Sequence, residues 1–257
     1  MDFCTSPTII CRSNILQGPG CVVKMYASLG DKIVEVSYTS TRCSTMSTLV
    51  DYFSSTPWCA RLLQGPAIVP FLPVSREDPS QELPEGCPRS QDQFFKRVLY
   101  NDEAVPHILG FYQDPFLDPA GGHPDLPFVI RSISLLCDLR PGLSGFNGTV
   151  HGGFIGAAMD QAMGTLIYHN YVVNKDAKIK GLLPSSAADF TRVVHATASM
   201  DVRYRRPLPS PQIVIVTATL DRVEGRKTHL RVFVRGKEGE EYASCHGTWV
   251  ALSRGKL

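Results

Sequence analysis

The 257-residue sequence lacks several features that would define a class of function directly. It has no apolar run as long as a transmembrane helix, and the stretch Met1 to Gly20 lacks the charged start and long apolar core of a secretory signal. It has no run of basic residues and a formal net charge of +2, so neither nucleic acid nor a membrane surface is an expected partner. These absences predict a cytoplasmic protein, with the mitochondrion as the alternative location.

The cysteines give no sign of a metal site. The sequence contains eight of them, but no Cys-x-x-Cys pair and no other ligand-like spacing. We interpret them as free thiols in a reducing compartment, and we expect no bound metal. The sequence also lacks a P-loop and a Gly-x-Ser-x-Gly turn, and the second absence argues against an α/β-hydrolase.

Changes in composition and apolar periodicity along the sequence predict three regions. Residues 1–45 are rich in Ser, Thr and Cys without a clear period, which predicts a disordered extension or a presequence. Residues 46–127 combine short helical patterns, such as Gln91 to Leu109, with a linker from Pro66 to Pro88 that contains six prolines. We interpret this second region as a helical cover. Residues 128–257 have the alternating pattern of strands.

The third region predicts a strand, a long apolar helix and then four more strands. The predicted strands are Phe128–Leu139, Ala196–Arg206, Ile213–Leu220, Thr228–Arg235 and Tyr242–Leu252. The helix, from Gly152 to about Tyr168, has too many apolar residues for a single stripe, so we expect it to be buried nearly all round. This order predicts an α+β fold, in which an antiparallel sheet wraps around one central helix.

The segment Gly148–Gly164 is the part of the chain most suggestive of catalysis. A glycine-rich loop leads into the apolar helix, which carries one carboxylate, Asp160. The start of a helix offers unpaired N–H groups and a positive dipole end, both suited to stabilising a developing oxyanion. A carboxylate on a buried helix is costly unless it has a function. Two common parts of a catalytic site therefore lie on one short segment.

Three motifs resemble the hotdog-fold acyl-CoA thioesterases of the phenylacetyl-CoA thioesterase type, particularly fungal members with an N-terminal helical extension. His151-Gly152-Gly153 is followed nine positions after the histidine by Asp160. Thr197–Pro207 resembles the strand that supplies a Ser or Thr to the site, and Val223–Lys227 resembles the hairpin after it. The resemblance covers roughly Phe128–Ser253. It implies hydrolysis of an acyl-CoA, without a metal or redox cofactor, by a homodimer or a dimer of dimers.

The resemblance also implies roles for four residues. Asp160 would be the general base or the nucleophile, with a structurally paired buried Asp as the alternative. Gly152 would donate its N–H to the thioester carbonyl. We expect His151 to orient the loop rather than to act in proton transfer. Thr197 would position water or Asp160, unless it is only a β-branched residue on the polar side of its strand.

The candidate substrate-binding residues rest on weaker signals. Many family members have an Asn six positions before the histidine, where this sequence has Gly145 and its nearest Asn is Asn147. Asn147 and Gly153 are candidates to contact the substrate. The basic residues that could hold the phosphates of coenzyme A are Arg203, Arg206, Arg226 and Lys227.

Two other functions remain open on the sequence alone, namely a non-catalytic acyl-CoA-binding module and a hotdog dehydratase or hydratase. The missing upstream Asn keeps the first of these open, whereas the spacing from the histidine to Asp160 fits thioesterases better than dehydratases. The identity of the acyl group, and the choice between CoA and a carrier protein as its donor, do not follow from the sequence.

The spacing along the helix gives one further expectation. Gly152 and Asp160 are eight residues apart, which is about 12 Å at about 1.5 Å per residue, so they cannot contact one carbonyl carbon within a single subunit. We therefore expect a site shared between two helices that run antiparallel across a two-fold axis.

Overall fold

The computed structural model describes residues 22–29, 32–39, 43–65, 67–76, 92–114, 130–146, 148–179, 181, 190 and 193–253. The elements in chain order are the strands β1 (Val22–Leu29) and β2 (Lys32–Thr39), the helices α1 (Cys43–Ser54) and α2 (Pro57–Leu63), the strands β3 (Ile68–Phe71), β4 (Ile108–Gln113), β5 (Ser132–Leu139), β6 (Ser144–Phe146) and β7 (Thr149–Val150), the helix α3 (Gly152–Ile179), and the strands β8 (Val193–Tyr204), β9 (Gln212–Glu224), β10 (Lys227–Arg235) and β11 (Glu241–Ser253).

Seven of these strands form one antiparallel sheet in the order β3-β4-β5-β9-β10-β11-β8. Residues alternate along the central strands, as the sequence pattern predicted. In β10 the side chains of Leu230, Val232 and Val234 are buried, whereas the residues between them face the other side of the sheet. The α+β fold with a sheet around a central helix is therefore confirmed.

Helix α3 lies against the inner face of this sheet and supplies much of the main core. Its fully buried residues include Met159, Ala162 and Met163. The opposite face is not buried, contrary to our expectation, because mostly small residues leave it partly open to solvent. The residues of this open face are Gly152, Gly153, Gly156, Ala157, Asp160, Gln161 and Gly164.

The helices α1 and α2 pack on the outer face of the sheet, away from α3. A second apolar core forms there between Phe53 and Cys59 of the helices and Leu109, Phe111 and Leu136 of the sheet. Strands β4 and β5 are consequently buried on both faces, which explains their nearly continuous apolar sequences.

A buried carboxylate anchors α1 to the sheet. Asp138 of β5 is only 5% exposed, and it accepts hydrogen bonds from Tyr52 of α1 at 2.7 Å and from Arg140 at 2.7 Å. The ring of His107 stacks on that of Tyr52 with 3.9 Å between centroids. Burial and the neighbouring Asp138 both raise the pKa of Tyr52, so its hydroxyl stays a proton donor to the carboxylate.

Several predictions for residues 1–127 differ from the structure. Strands β1 and β2 form a hairpin within residues 1–45, where the pattern predicted no element. The helix expected over Gln91–Leu109 is reduced to a π-helical turn at Phe94–Val98, and strand β4 begins at Ile108. The run of helically spaced apolar residues there is too short to form a stable helix, and Pro106 interrupts it.

Within the described ranges, no helix is both long and apolar enough to cross a membrane.

The outer core predicts a large effect of truncation at Phe53, which is fully buried. Phe53→Ala should lower the free energy of unfolding by about 3–5 kcal/mol, because it leaves a cavity between the helices and the sheet. Urea unfolding checks this. Phe94→Ala is the matched control, since Phe94 is 46% exposed, and a comparable loss in both variants would contradict the packing described here.

Candidate active site

His151 caps the first turn of α3. Its backbone oxygen accepts hydrogen bonds from the N–H groups of Phe154 at 3.0 Å and Ile155 at 3.2 Å. Its ring Nδ1 accepts a third from the Gly153 N–H at 2.9 Å. Because Nδ1 is an acceptor, a neutral His151 carries its proton on Nε2. This geometry fits the expected orienting role.

The first turn therefore leaves one N–H without a partner. The Gly152 N–H donates no hydrogen bond to any residue in the described ranges, whereas the next three N–H groups all bond to His151. Unpaired N–H groups at a helix start attract negative charge. Gly153 was predicted to contact the substrate, and its N–H group already bonds to His151.

Asp160 lies two turns further along the open face of α3, beside strand β8. Thr197 donates a hydrogen bond of 2.8 Å from Oγ1 to Oδ1 of Asp160. Burial is the main cause that raises the pKa of Asp160, the charge of Asp92 raises it further, and the hydrogen bond from Thr197 acts in the opposite direction. The structure thus holds a carboxylate whose protonated form is favoured more than in a free Asp.

A β-bulge turns Thr197 towards Asp160. The ladder between β8 and β11 pairs Ser199 with Thr248 and Thr197 with Trp249, so that Ala198 is the extra residue. On the C-terminal side of the bulge Met200 packs against the core, and on its N-terminal side Thr197 contacts Asp160. The sequence pattern had placed Thr197 on the polar side with Ser199. A bulge changes that alternation locally.

Five further residues lie near these groups, and the sequence pattern indicated a role for none of them. Trp249 pairs with Thr197 and packs on α3, where an added Cβ at Gly164 would lie 3.1 Å from the indole. Asp92 and Ser75 lie between β3 and β4 in the chain, and Gln161 of α3 donates to Ser75 Oγ at 3.4 Å. Tyr204 donates from its hydroxyl to the Gly152 carbonyl at 2.9 Å. Only Tyr204 lay inside a recognised motif.

The predicted basic residues fall into two separate groups. Arg203 and Arg206 are exposed near the end of β8 that lies by the start of α3. Arg226 lies in the β9–β10 turn and Lys227 begins β10, where it is in line with Ala196 through Val250. The run from Ala196 to Arg203 is about 23 Å at about 3.3 Å per residue. One chain cannot use both groups on a single phosphate.

The loop before the histidine is only partly described. Asn147 lies outside the described residues, so its predicted role is untested. Gly145, which stands where we expect an Asn in many family members, packs against His151, and an added Cβ would lie 3.2 Å from the His151 Cα. Among the side chains that the structure describes, no three His, Cys, Asp or Glu residues group as metal ligands.

Comparison with known proteins places this site in a family. The sequence model of the thioesterase superfamily matches residues 147–243, which include His151, Asp160 and Thr197. The family predicted from the sequence motifs is therefore confirmed for residues 147–243, and its members are thioester hydrolases.

The individual proteins similar to this chain share about a quarter of its residues over the aligned regions. Verlamelin biosynthesis protein B of Lecanicillium sp. is 27% identical over 217 residues, covering 78% of this chain and 87% of its own. The acyl-coenzyme A thioesterase THEM4 of Rattus norvegicus is 25% identical over 164 residues, which cover 61% of this chain and 57% of the rat protein. A crystal structure of a thioesterase superfamily protein aligns with 46% of this chain and 51% of its own at 24% identity and a TM-score of 0.35.

The hydrogen bond between Thr197 and Asp160 predicts a pH effect. We expect the ionised form of Asp160 to be the active one, and this form is lost as the pH falls through the raised pKa of Asp160. Thr197→Val removes a contact that lowers this pKa, so the acid limb of kcat/KM should move to higher pH and the rate at neutral pH should fall. Thr197→Ser keeps a hydroxyl and should retain the wild-type profile. An unmoved acid limb in Thr197→Val would contradict the assignment.

Proposed function

We propose that the protein hydrolyses an acyl-CoA or carrier-bound acyl thioester to a free acid and a thiol. One observation carries this proposal: the open face of α3 presents a carboxylate of raised pKa at Asp160 and, at Gly152, an N–H that bonds to none of the described residues. Thioester hydrolysis needs both an activated oxygen and a donor for the oxyanion. The sequence similarity to an acyl-coenzyme A thioesterase supports CoA as the thiol.

Asp160 would act by one of two routes with the same products. As a general base, the ionised carboxylate takes a proton from water while the water oxygen attacks the carbonyl carbon. As a nucleophile, it attacks the carbon itself and forms an anhydride that water then cleaves. In both routes the C–S bond breaks and the thiolate leaves. Water is the only co-reactant, so we expect no cofactor.

The two groups would act together only in a dimer. They are about 12 Å apart along one helix. Two α3 helices that run antiparallel across a two-fold axis would bring Gly152 of one subunit beside Asp160 of the other. The same arrangement would bring Arg203 and Arg206 of one subunit near the β9–β10 turn of the other. A joint phosphate site would then use both basic groups.

A binding module without catalysis is the second candidate. The observation in its favour is Gly145, which replaces the Asn that helps hold the carbonyl in many family members. An assay of thiol release from aliphatic and aromatic acyl-CoA substrates separates the two, since a binding module would bind these compounds and release no thiol.

The location of the protein, in the cytoplasm or in the mitochondrion, stays a prediction.

Replacement of the carboxylate is the direct test of the chemistry. Asp160→Asn should lower kcat by about a hundredfold or more, the scale of losing a general base. Because the fold raises the pKa of Asp160, the ionised carboxylate opposes folding, so Asp160→Asn should melt at the same temperature or slightly higher at neutral pH.

The matched control is Asp51→Asn, which changes an exposed carboxylate of α1, a helix on the outer face of the sheet. It should retain the wild-type rate. Wild-type turnover in a folded Asp160→Asn protein would exclude both routes.

The shared site has its own test. Asp160→Ala and Gly152→Val are each expected to be inactive, the second because a side chain there meets the Tyr204 ring. When the two are refolded together, about half of the dimers are mixed, and each has one intact site of two, so about a quarter of wild-type activity should return. If a tagged pull-down proves subunit exchange and no activity returns, each subunit builds its own site.

A further inference from the structure

Tyr204 reaches the start of α3 from the edge strand of the sheet. It is the last residue of β8 and is 56% exposed, so the core does not require it. Its hydroxyl donates 2.9 Å to the carbonyl oxygen of Gly152. Its ring also packs on the glycine, where an added Cβ would lie 3.3 Å from ring carbon Cζ. The contact is therefore made by both the ring and the hydroxyl.

This hydrogen bond completes a pair on a single peptide group. The oxygen of the Gly152–Gly153 peptide is held by Tyr204, and its N–H is held by Nδ1 of His151, at 2.9 Å in each case. A peptide group is planar, so holding both ends fixes its orientation. The loop before the helix supplies one contact and the edge strand supplies the other.

Gly152 needs a constraint of this kind. Glycine has the greatest backbone freedom of any residue, because it has no side chain to limit φ or ψ. The N–H of Gly152 lies across the same Cα from the fixed peptide. An oxyanion donor is effective only when it is aimed before the charge develops, because reorientation during the reaction costs free energy.

We propose that Tyr204 is a positioning residue for the reaction. Together with His151 it fixes the Gly152–Gly153 peptide and thereby aims the Gly152 N–H at the thioester carbonyl. This inference rests on the proposed function, since it takes Gly152 as the oxyanion donor. Tyr204 touches no reacting atom, and its hydroxyl rather than its ring carries the effect.

Tyr204→Phe isolates the hydroxyl, because the ring and its packing remain. We expect kcat to fall about tenfold, less than the hundredfold or more for a deleted donor, because the N–H is misdirected rather than removed. KM should stay within about twofold, since substrate binding is not altered. Tyr100→Phe, at a tyrosine that is 53% exposed, is the matched control and should behave as wild type.

A double-mutant cycle tests the shared peptide. Tyr204→Phe and His151→Ala both release the same group, so their combined loss in kcat should be smaller than the product of the single losses. Losses that multiply would mean that the two side chains act independently, which would overturn the argument.

Two results of the Tyr204→Phe assay would overturn the proposal. Wild-type kcat in Tyr204→Phe overturns the proposal, as does a raised KM with unchanged kcat, which would make Tyr204 a substrate contact. If Asp160→Asn keeps its turnover, the proposed function fails separately. Amide hydrogen exchange then tests whether Tyr204 holds the Gly152–Gly153 peptide, whatever the reaction. Tyr204→Phe should reduce protection of the Gly153 N–H, and unchanged protection would show that Tyr204 does not fix this peptide.

Discussion

Burial of α3 against the seven-stranded sheet is the contact on which the rest of the structure depends. Met159 and Met163 are fully buried at this contact. Gly247 of β11 makes room for the end of the Met163 side chain, which an added Cβ there would force to move. This packing fixes the rotation of the helix, which leaves Gly152 and Asp160 on the face that stays open. Both candidate groups therefore depend on one apolar interface.

Residues before the matched segment 147–243 contribute to both faces of the sheet. On the outer face, Tyr52 and the apolar side chains of α1 and α2 cover strands that would otherwise expose Leu109 and Leu136. On the inner side, Ser75 accepts a hydrogen bond from Gln161, and Asp92 places a second negative charge near Asp160. The same stretch of chain therefore affects stability on one face and electrostatics on the other.

The sequence was sufficient for the regular parts of the fold and insufficient where long-range contacts decide. The order of strands around α3 followed from periodicity, but the helix runs to Ile179 rather than to about Tyr168. Its added turns contain Asn170 and Asn174, so their sequence looks polar. Both side chains are nevertheless buried, because they bond to the backbone of Ile130 and Phe190. Asp160 and Gly152 came from a motif, whereas Asp92 reaches the site through tertiary packing that no local pattern encodes.

The bulge at Ala198 means that the length of β8 matters as much as its composition. Thr197 and Tyr204 both face α3, although seven positions separate them, an odd number that uninterrupted alternation would place on opposite faces. The extra residue reconciles the two. This strand can therefore exchange many of its side chains, but a single deletion or insertion between those two residues would turn one of them away from the helix.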